Sequence, residues 1–396
     1  MPPPRPAAPR SGRAGVCPGP GRRRARRGFR RPLAATRSGV SGHPTPPRVV
    51  VVGATGTIGT ALLRRLSGGP YAGAVTGLSR RPPGATPPGT RWRHADITAA
   101  TADELAALFD GAEAVVHLAC LFQPSHRPRV TWRTNCVGAA RVFDAVAAAG
   151  VPVLVHASSL VAYSPAPKDQ AIDESWPTHA WPTAAYPREK AYAERLLDAF
   201  EARNPGVRTV RMRPSVVVSD ESPAHQRRMF AGPLLPRVRP PRPLRLVPKL
   251  PGLRFQVTHA EDIAEAFALA LTRPVSGPFN LAAGPVADPE MLARATGGRA
   301  VPLPYRPVRA AVSAAWRLRL VPTSPYMLDA VTTFPVMDTG RAERELGWRP
   351  RRPADETVAA FARGLARGAG GDTPPLRGRR PGGRAGEIAA GPGERE

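Results

Sequence analysis

The sequence predicts an α/β protein in which a parallel β-sheet carries helices on both of its faces. From Arg48 onward, runs of β-branched residues alternate with stretches of helical spacing, which is typical of strands joined by crossover helices. The first run, RVVVVG, is continuously apolar, as strands buried on both faces are. The stretch TIGTALLRRLSG after it places Leu62, Leu63 and Leu66 on one side of a helix.

The alternation continues for about 160 residues and weakens after Pro214. Strands are predicted near residues 74–78, 114–118, 152–157 and 207–213, and helices near 102–108, 134–149 and 184–202. Residues 221–252 are rich in Pro and Arg, so we expect little regular structure there. The stretch FQVTHAEDIAEAFALAL then restores a strand and a helix. We therefore expect a doubly wound sheet and a smaller C-terminal substrate-binding part.

The two ends of the chain have a composition that is typical of disorder. Residues 1–47 hold eleven Arg and neither Asp nor Glu, and residues 368–396 share the same bias toward Gly, Pro and Arg. We interpret both segments as disordered tails. Between them we place a dinucleotide-binding domain at 48–220 and a substrate-side part at 221–367, interleaved with returning sheet elements at about 253–281.

The net charge of +27 raises nucleic acid as a partner, with the strongest local cluster at residues 22–27. However, only three of the 57 basic residues are lysines. A skewed coding composition explains such an arginine bias better than selection for phosphate binding does. A nucleic-acid role through the arginine tail is therefore the hypothesis for function that we favour least. The twin arginines are not followed by the apolar core of an export signal, and no apolar run is long enough to span a bilayer.

Three cysteines without metal-ligand spacing fit a reduced, cytoplasmic protein and no metal site.

The loop that follows the first strand reads Gly53-Ala54-Thr55-Gly56-Thr57-Ile58-Gly59 and opens a helix. Glycines at this spacing let the turn close and let backbone N–H groups approach a pyrophosphate. The motif in this context predicts a Rossmann-type dinucleotide site.

The end of the second predicted strand reads Gly77-Leu78-Ser79-Arg80-Arg81, where NAD-selective sites usually have an acidic residue for the ribose. Two guanidinium groups at that place could hold a 2′-phosphate, which favours NADP(H) over NAD(H). In an arginine-rich chain the same two residues could instead be ordinary solvated loop residues.

Tyr186 and Lys190 stand four residues apart on a predicted helix, so both project from one face. An ammonium beside the phenol is expected to lower the pKa of Tyr186 and make it a usable acid/base. Ser158 and Ser159 follow a strand whose carboxyl end lines the crevice, where a hydroxyl can bind a substrate oxygen. Either serine could instead cap the loop.

Over residues 48–365 the chain resembles the extended short-chain dehydrogenases/reductases, in the NAD-dependent epimerase/dehydratase group. The resemblance rests on GATGTIG (53–59), HADI (94–97), VVHLA (115–119), TNCVGAARVFDAV (134–146), ASSLVAY (157–163), YPREK (186–190), RMRPS (211–215) and RAERELGWRP (341–350). Departures from the group's pattern are Tyr163-Ser164, where a Tyr-Gly pair is common, and the missing acidic residue after the second strand.

The resemblance implies roles for several residues and a possible homodimer. Ser159, rather than Ser158, matches the catalytic serine, and Asn135 would brace the active-site helix or a proton-relay water. Asp96 and Ile97 would flank the adenine, while Ala119 and Pro214 would lie beside the cofactor. The group's common substrate is a nucleotide sugar, although residues 221–252 show no readable diphosphate signature.

We therefore expect an enzyme that transfers hydride at a secondary alcohol or ketone carbon of a small molecule, with Ser159, Tyr186, Lys190 and Asn135 in the catalytic group. These residues do not distinguish epimerisation, dehydration and reduction. The alternative is a redox-sensing regulator that binds a dinucleotide without turnover.

Overall fold

The computed structural model describes residues 47–81, 83–84, 88–233, 245–379, 382–391 and 393. The predicted N-terminal tail lies outside the described residues, apart from residue 47. The strands are β1 (Val49–Val52), β2 (Val75–Ser79), β3 (Thr90–His94), β4 (Ala114–His117), β5 (Val153–Ala157), β6 (Ala171–Ile172), β7 (Arg208–Pro214), β8 (Val216–Val218), β9 (Leu246–Lys249), β10 (Val257–His259), β11 (Gly277–Leu281), β12 (Arg299–Pro302) and β13 (Val336–Met337).

The helices alternate with these strands through the first half of the chain. They are α1 (Thr57–Leu66), α2 (Ala102–Phe109), α3 (Pro128–Trp132), α4 (Ala139–Ala148), α5 (Ala185–Arg203), α6 (Pro223–Phe230), α7 (Ala260–Thr272), α8 (Pro289–Thr296), α9 (Tyr305–Arg317), α10 (Pro325–Val331), α11 (Ala354–Arg367) and α12 (Gly383–Ala390). A π-helical segment, Arg133–Gly138, joins α3 to α4.

Seven parallel strands form the central sheet in the order β11-β7-β5-β4-β1-β2-β3. The strand order reverses between β1 and β4, because the chain first extends the sheet on one side of β1 and then returns to its other side. At such a switch point the carboxyl ends of the strands open a crevice that can receive a ligand. The predicted doubly wound, Rossmann-type fold is confirmed.

The two faces of the sheet carry separate apolar cores. Alternate residues of β1 point to opposite faces: Val49 and Val51 pack with α1 and α7, and Val50 and Val52 pack with α2 and α4. Trp348 closes the first core at 1% exposure, and its Nε1 donates a hydrogen bond to the Asp262 carbonyl at 2.7 Å. Burial on both faces explains why the strand sequences are continuously apolar.

Two segments are more ordered than their composition predicts. The expectation of little regular structure over 221–252 is wrong for α6 and β9, while residues 234–244 lie outside the described residues. Pro223 begins α6 at a position where proline is favoured, and β9 pairs with β12, some 50 residues later in the chain. Such distant pairing leaves no local pattern in the sequence.

The prediction that residues 368–396 are disordered is also wrong for the described part of that segment. Leu376 is fully buried, and α12 follows it. The Thr373 hydroxyl donates to the Thr55 carbonyl at 2.8 Å, and Arg227 holds Glu387 with bonds of 2.9 and 2.7 Å. Tertiary contacts therefore order a segment whose composition alone would not fold.

Candidate active site

A cavity of about 790 Å³ opens at the carboxyl ends of the central strands, where the strand order reverses. The size is within the range usual for small-molecule sites. Nearly all of the predicted site residues line it: Gly53, Thr55, Gly56, Thr57, Ile58, Gly59, Ser79, Arg80, Asp96, Ile97, Ala119, Ser159, Tyr186, Lys190 and Pro214. Asn135 is not among the lining residues and lies behind the wall, at 4% exposure.

The three motif glycines of the first loop serve different purposes. Gly53 has φ +87°, and a Cβ there would lie 2.5 Å from the backbone nitrogen of Ala119. A Cβ on Gly59 would lie 2.6 Å from the backbone of Ala54, so the loop and α1 pack too closely for a side chain. At Gly56 a Cβ would meet only an ordinary contact of 3.5 Å, so packing does not require glycine there.

Gly56 is the residue that precedes α1, and no side chain caps this helix terminus. A helix N-terminus presents backbone N–H groups and partial positive charge to an anion. The open space at Gly56 therefore fits a pyrophosphate, which would come close to the backbone there. The loop residues fit a dinucleotide on these observations.

Polar side chains mark the adenosine end of the cavity. The Asp96 carboxylate is oriented by Thr98, which donates to it from its backbone nitrogen at 2.9 Å and from its hydroxyl at 2.8 Å. Arg80 and Arg81 lie at the same end, after β2. Partial burial lowers the pKa of Arg80, and the Asp96 carboxylate opposes that shift. A cation and a carboxylate thus lie near each other in the cavity lining, after β2 and β3.

The helix α5 brings the phenol and the ammonium to the cavity from one face. Lys190 is buried, its Nζ lies 5.9 Å from the ring centroid of Tyr186, and it donates a 2.6 Å hydrogen bond to the Ala157 carbonyl at the end of β5. Ser159 and Cys120 line the same cavity as Tyr186, and both influence the pKa of its phenol. Serine, tyrosine and lysine therefore meet as the motif spacing predicts.

The pKa of Tyr186 lies well above its ordinary value, contrary to the expectation that Lys190 lowers it. Burial is the main cause of the rise, the neighbouring Cys120 and Glu189 add to it, and Ser159 opposes it. Desolvation disfavours the phenolate in this surrounding. The phenol is therefore held in its protonated form at neutral pH.

The structure distinguishes the two serines that follow β5. The Ser158 hydroxyl donates to Glu194 at 2.6 Å, whereas the Ser159 hydroxyl accepts from the Val161 backbone nitrogen at 3.4 Å and opposes the rise in the pKa of Tyr186. Glu194 is completely buried and also accepts bonds from Arg213 at 2.9 and 3.1 Å and from Arg211 at 3.0 Å. Both serines line the cavity, but the Ser158 hydroxyl is used in the buried ion-pair network beneath the site.

Asn135 connects the cavity wall to α5. Its Oδ1 accepts from the Leu121 backbone nitrogen at 2.7 Å, and its Nδ2 donates to the Leu121 carbonyl and to Glu189, both at 2.6 Å. Glu189 also accepts a 2.6 Å bond from the Thr131 hydroxyl, and burial raises its pKa. Asn135 lies in the π-helical segment, and such segments are frequent at functional sites.

Sequence analysis missed the two buried glutamates, although the helical pattern contained a signal for them. Tyr186, Lys190 and Glu194 recur at intervals of four residues, and Glu189 stands on the same buried side of α5. A carboxylate on the buried side of a helix needs a partner. The partners come from β7 and from the π-helical segment, which helical spacing alone could not identify.

Together, the switch-point cavity and the groups around Tyr186 define the class of the protein: a Rossmann-type enzyme that binds a dinucleotide beside an acid/base group. The chain belongs to the NAD dependent epimerase/dehydratase family, whose family model matches residues 49–282. The resemblance to extended short-chain dehydrogenases/reductases is thereby confirmed, and the main functional prediction, rather than the non-catalytic regulator, is supported.

Solved structures of the same architecture share 16–22% identity with the chain. MoeE5 in complex with UDP-glucuronic acid and NAD is 22% identical, with a TM-score of 0.59, covering 81% of this chain and 99% of its own. The dTDP-glucose 4,6-dehydratase DesIV from Streptomyces venezuelae, with NAD and TYD bound, is 20% identical, with a TM-score of 0.60 and coverages of 81% and 97%.

A UDP-glucose 4-epimerase complex with NAD from Thermus thermophilus is 21% identical, with a TM-score of 0.58 and coverages of 81% and 99%. No curated protein matches the chain significantly. Among the described residues, no helix is long and apolar enough to cross a membrane. The same part of the chain contains no group of three or more acidic, His or Cys side chains able to hold a metal ion.

Proposed function

We propose that Tyr186 is the acid/base of a reversible hydride transfer at a secondary alcohol or ketone carbon. The observation that carries the proposal is the position of Tyr186 in the cavity lining with Ser159, beside the buried Lys190, whose Nζ lies 5.9 Å from the Tyr186 ring centroid. When bound, a nicotinamide dinucleotide supplies the hydride or accepts it. The protein supplies orientation and the proton.

Each member of the trio has one task in this proposal. The Ser159 hydroxyl binds the substrate oxygen, and the protonated Tyr186 donates its proton to that oxygen as the carbonyl is reduced. In the oxidation direction the proton returns to Tyr186. An ammonium has three N–H donors, and the Ala157 carbonyl takes one of them, so Lys190 can also bind a ribose hydroxyl.

Asn135 acts in this proposal as a positioning residue. Its bonds to Leu121 and Glu189 tie the end of β4 to α5, which carries Tyr186 and Lys190. The bracing role therefore has more support than contact with the substrate, because the side chain lies behind the wall.

Replacement of Tyr186 by Phe tests the proposal directly. The change keeps the ring contact with Phe122, whose centroid lies 4.9 Å away, and removes only the hydroxyl. We expect turnover to fall by about 10²–10⁴-fold, the usual contribution of a general acid, with dinucleotide affinity unchanged. Nicotinamide absorbance measures turnover and its fluorescence measures binding. Wild-type turnover in Tyr186→Phe would refute the assignment.

We also propose that NADP(H) is preferred over NAD(H). The support is the position of Arg80 and Arg81 after β2, where a 2′-phosphate would be bound. Arg80→Ala is expected to weaken NADPH about tenfold and leave NADH unchanged, and Arg91→Ala on the exposed part of β3 is the matched control. Fluorescence titration of each variant with both dinucleotides measures the effect. Equal losses for both dinucleotides would contradict a phosphate contact.

A cytoplasmic homodimer is the assembly we propose. Trp132 and Tyr192 project from α3 and α5 with 40% and 43% exposure, and their ring centroids lie 4.8 Å apart. Exposed aromatic side chains of this kind are enriched at protein interfaces. Sedimentation of the purified chain would show whether it is a dimer.

A further inference from the structure

The segment that follows α11 contributes to the wall of the cavity. Residues 369–379 form a loop, termed the C-terminal loop, from which Pro375 lines the cavity. The glycine loop, residues 53–59, lines the same cavity. The two loops are joined, because the Thr373 hydroxyl donates a 2.8 Å hydrogen bond to the Thr55 carbonyl. The C-terminal loop therefore contacts the part of the cavity that fits a dinucleotide.

The C-terminal loop is closed by its own backbone. Leu376 is fully buried, its carbonyl accepts a hydrogen bond from the Gly371 nitrogen at 2.8 Å, and its nitrogen donates to the Thr373 carbonyl at 2.9 Å. A Cβ on Gly370 would lie 2.3 Å from the nitrogen of Gly378, so the two ends of the loop pass too closely for a side chain there. Thr373 is therefore carried by a compact turn rather than by an extended tail.

The helix α6 holds the other side of the C-terminal loop. The Ala224 nitrogen, in its first turn, donates to the Ala369 carbonyl at 2.9 Å. The Arg228 Nη2 donates to the Pro375 carbonyl, also at 2.9 Å. Arg228 is buried and lines the cavity, and a hydrogen bond from a guanidinium is stronger than one between neutral groups. The loop is thus fixed on α6 while Thr373 reaches the glycine loop.

The bond from Thr373 fixes one peptide unit of the glycine loop. The Thr55 carbonyl and the Gly56 N–H belong to the same planar unit. The N–H donates to the Gly53 carbonyl at 3.2 Å, so both ends of the unit are held. The next N–H group, that of Thr57, begins α1 and precedes the hydrogen-bond ladder of the helix, so it can face an anion. Holding the first peptide unit limits the movement of the second, because only Gly56 separates them.

We infer that the C-terminal loop is part of the dinucleotide site and that Thr373 is a positioning residue for the pyrophosphate. Thr373 acts through Thr55, by holding the glycine loop in the shape in which the N-terminus of α1 faces the anion. A protein whose binding-competent shape is only partly populated binds with proportionally lower affinity. The inference rests on dinucleotide binding, which the proposed function requires, and concerns binding rather than the chemistry at Tyr186.

Replacement of Thr373 by Val tests the inference, because it removes the hydroxyl and keeps the shape of the side chain. We expect NADPH and NADH to bind roughly fivefold more weakly than to the wild-type chain, the change that loss of one neutral hydrogen bond produces. Both should lose the same factor, since both carry the pyrophosphate, whereas Arg80→Ala should weaken NADPH alone. Fluorescence titration of the full chain measures the dissociation constants. Unchanged affinity, or a loss for one dinucleotide only, would overturn the inference.

Two further variants separate positioning from general stability. Thr373→Ser keeps the hydroxyl and should restore the affinity to within about twofold of wild type. Thr209→Val is the matched control: Thr209 is 3% exposed against 8% for Thr373, and its hydroxyl also donates to a backbone carbonyl, that of Val207. Thr209 is not among the described residues that line the cavity, so affinity should be unchanged even where Tm falls. A failed rescue by Ser, or an equal loss in Thr209→Val, would overturn the inference.

Hydrogen exchange of the wild-type chain tests the same point without a substitution. Binding of NADPH should slow amide exchange in the glycine loop and also in the C-terminal loop. Protection of the glycine loop alone would overturn the inference. Binding of neither dinucleotide by the wild-type chain would refute the proposed function and the inference with it. Wild-type binding with unchanged affinity in Thr373→Val would refute the inference alone, so the two failures differ.

Discussion

Replacement of Glu194 by Gln would test the buried ion-pair network beneath the site. Glu194 is completely buried and accepts four bonds, from Ser158, Arg211 and twice from Arg213. The amide keeps the shape but removes the charge, so Arg211 and Arg213, at 6% and 4% exposure, lose their shared buried counter-ion. Breaking a buried pair in this way costs about 3–5 kcal/mol of unfolding free energy. At about 2 °C per kcal/mol, Tm would fall by roughly 6–10 °C.

Thermal and denaturant unfolding of Glu194→Gln and Glu201→Gln provide the comparison. Glu201 also pairs with Arg211, at 2.7 Å, but its side chain is 37% exposed, so its loss should cost about 0–1 kcal/mol. Arg213 and Arg211 outweigh the burial of Glu194 and lower its pKa to about 2. Its stabilisation is therefore complete above its ordinary pKa of 4.5 and is lost as the pH falls toward 2. Equal Tm values for the two variants at neutral pH would refute the reasoning.

Two further predictions concern the cofactor loop and the proton donor. Gly53→Ala should destabilise the chain by about 1–3 kcal/mol, because Gly53 has a positive φ and its Cβ would lie 2.5 Å from Ala119. Gly56→Ala should change stability by no more than about 0.5 kcal/mol and weaken dinucleotide binding. Denaturation measures stability and fluorescence titration measures binding; equal destabilisation by the two variants would contradict the different roles of the two glycines. Burial raises the pKa of Tyr186, so the rate of ketone reduction should stay level above neutral pH and fall only where the phenol ionises. A pH–rate profile that falls through neutral pH would show that another group donates the proton.

The strands β1, β4 and β5 could be predicted because burial on both faces makes each of them a largely apolar run. β3 escaped prediction since it is the sheet edge: Thr90–His94 reads TRWRH, and its residues are half-buried or exposed. The C-terminal segment was misjudged for a different reason. Its composition disfavours independent folding, but Leu376 and Glu387 are held by contacts with distant parts of the chain.

The site could be predicted to the extent that its residues lie in local motifs. Four-residue spacing placed Tyr186 and Lys190 on one helix face, and strand order placed the glycine loop and Ser159 at one edge. The pKa of Tyr186 was misjudged because it depends on burial and on Cys120, which comes from another element of the fold. Partners across the fold, such as Glu189 for Asn135, have no fixed spacing in the sequence.

The contact between Thr373 and Thr55 joins positions 318 residues apart along the chain. The glycine loop leaves the ribosome long before α12, yet its surroundings are complete only after α12 has been synthesised. Contacts between such distant positions form late, because closing a long loop costs entropy before any contact is made. A nascent chain would thus complete its central sheet before its pocket, and ligand binding could begin only after the segment from Thr373 to α12 had joined the fold.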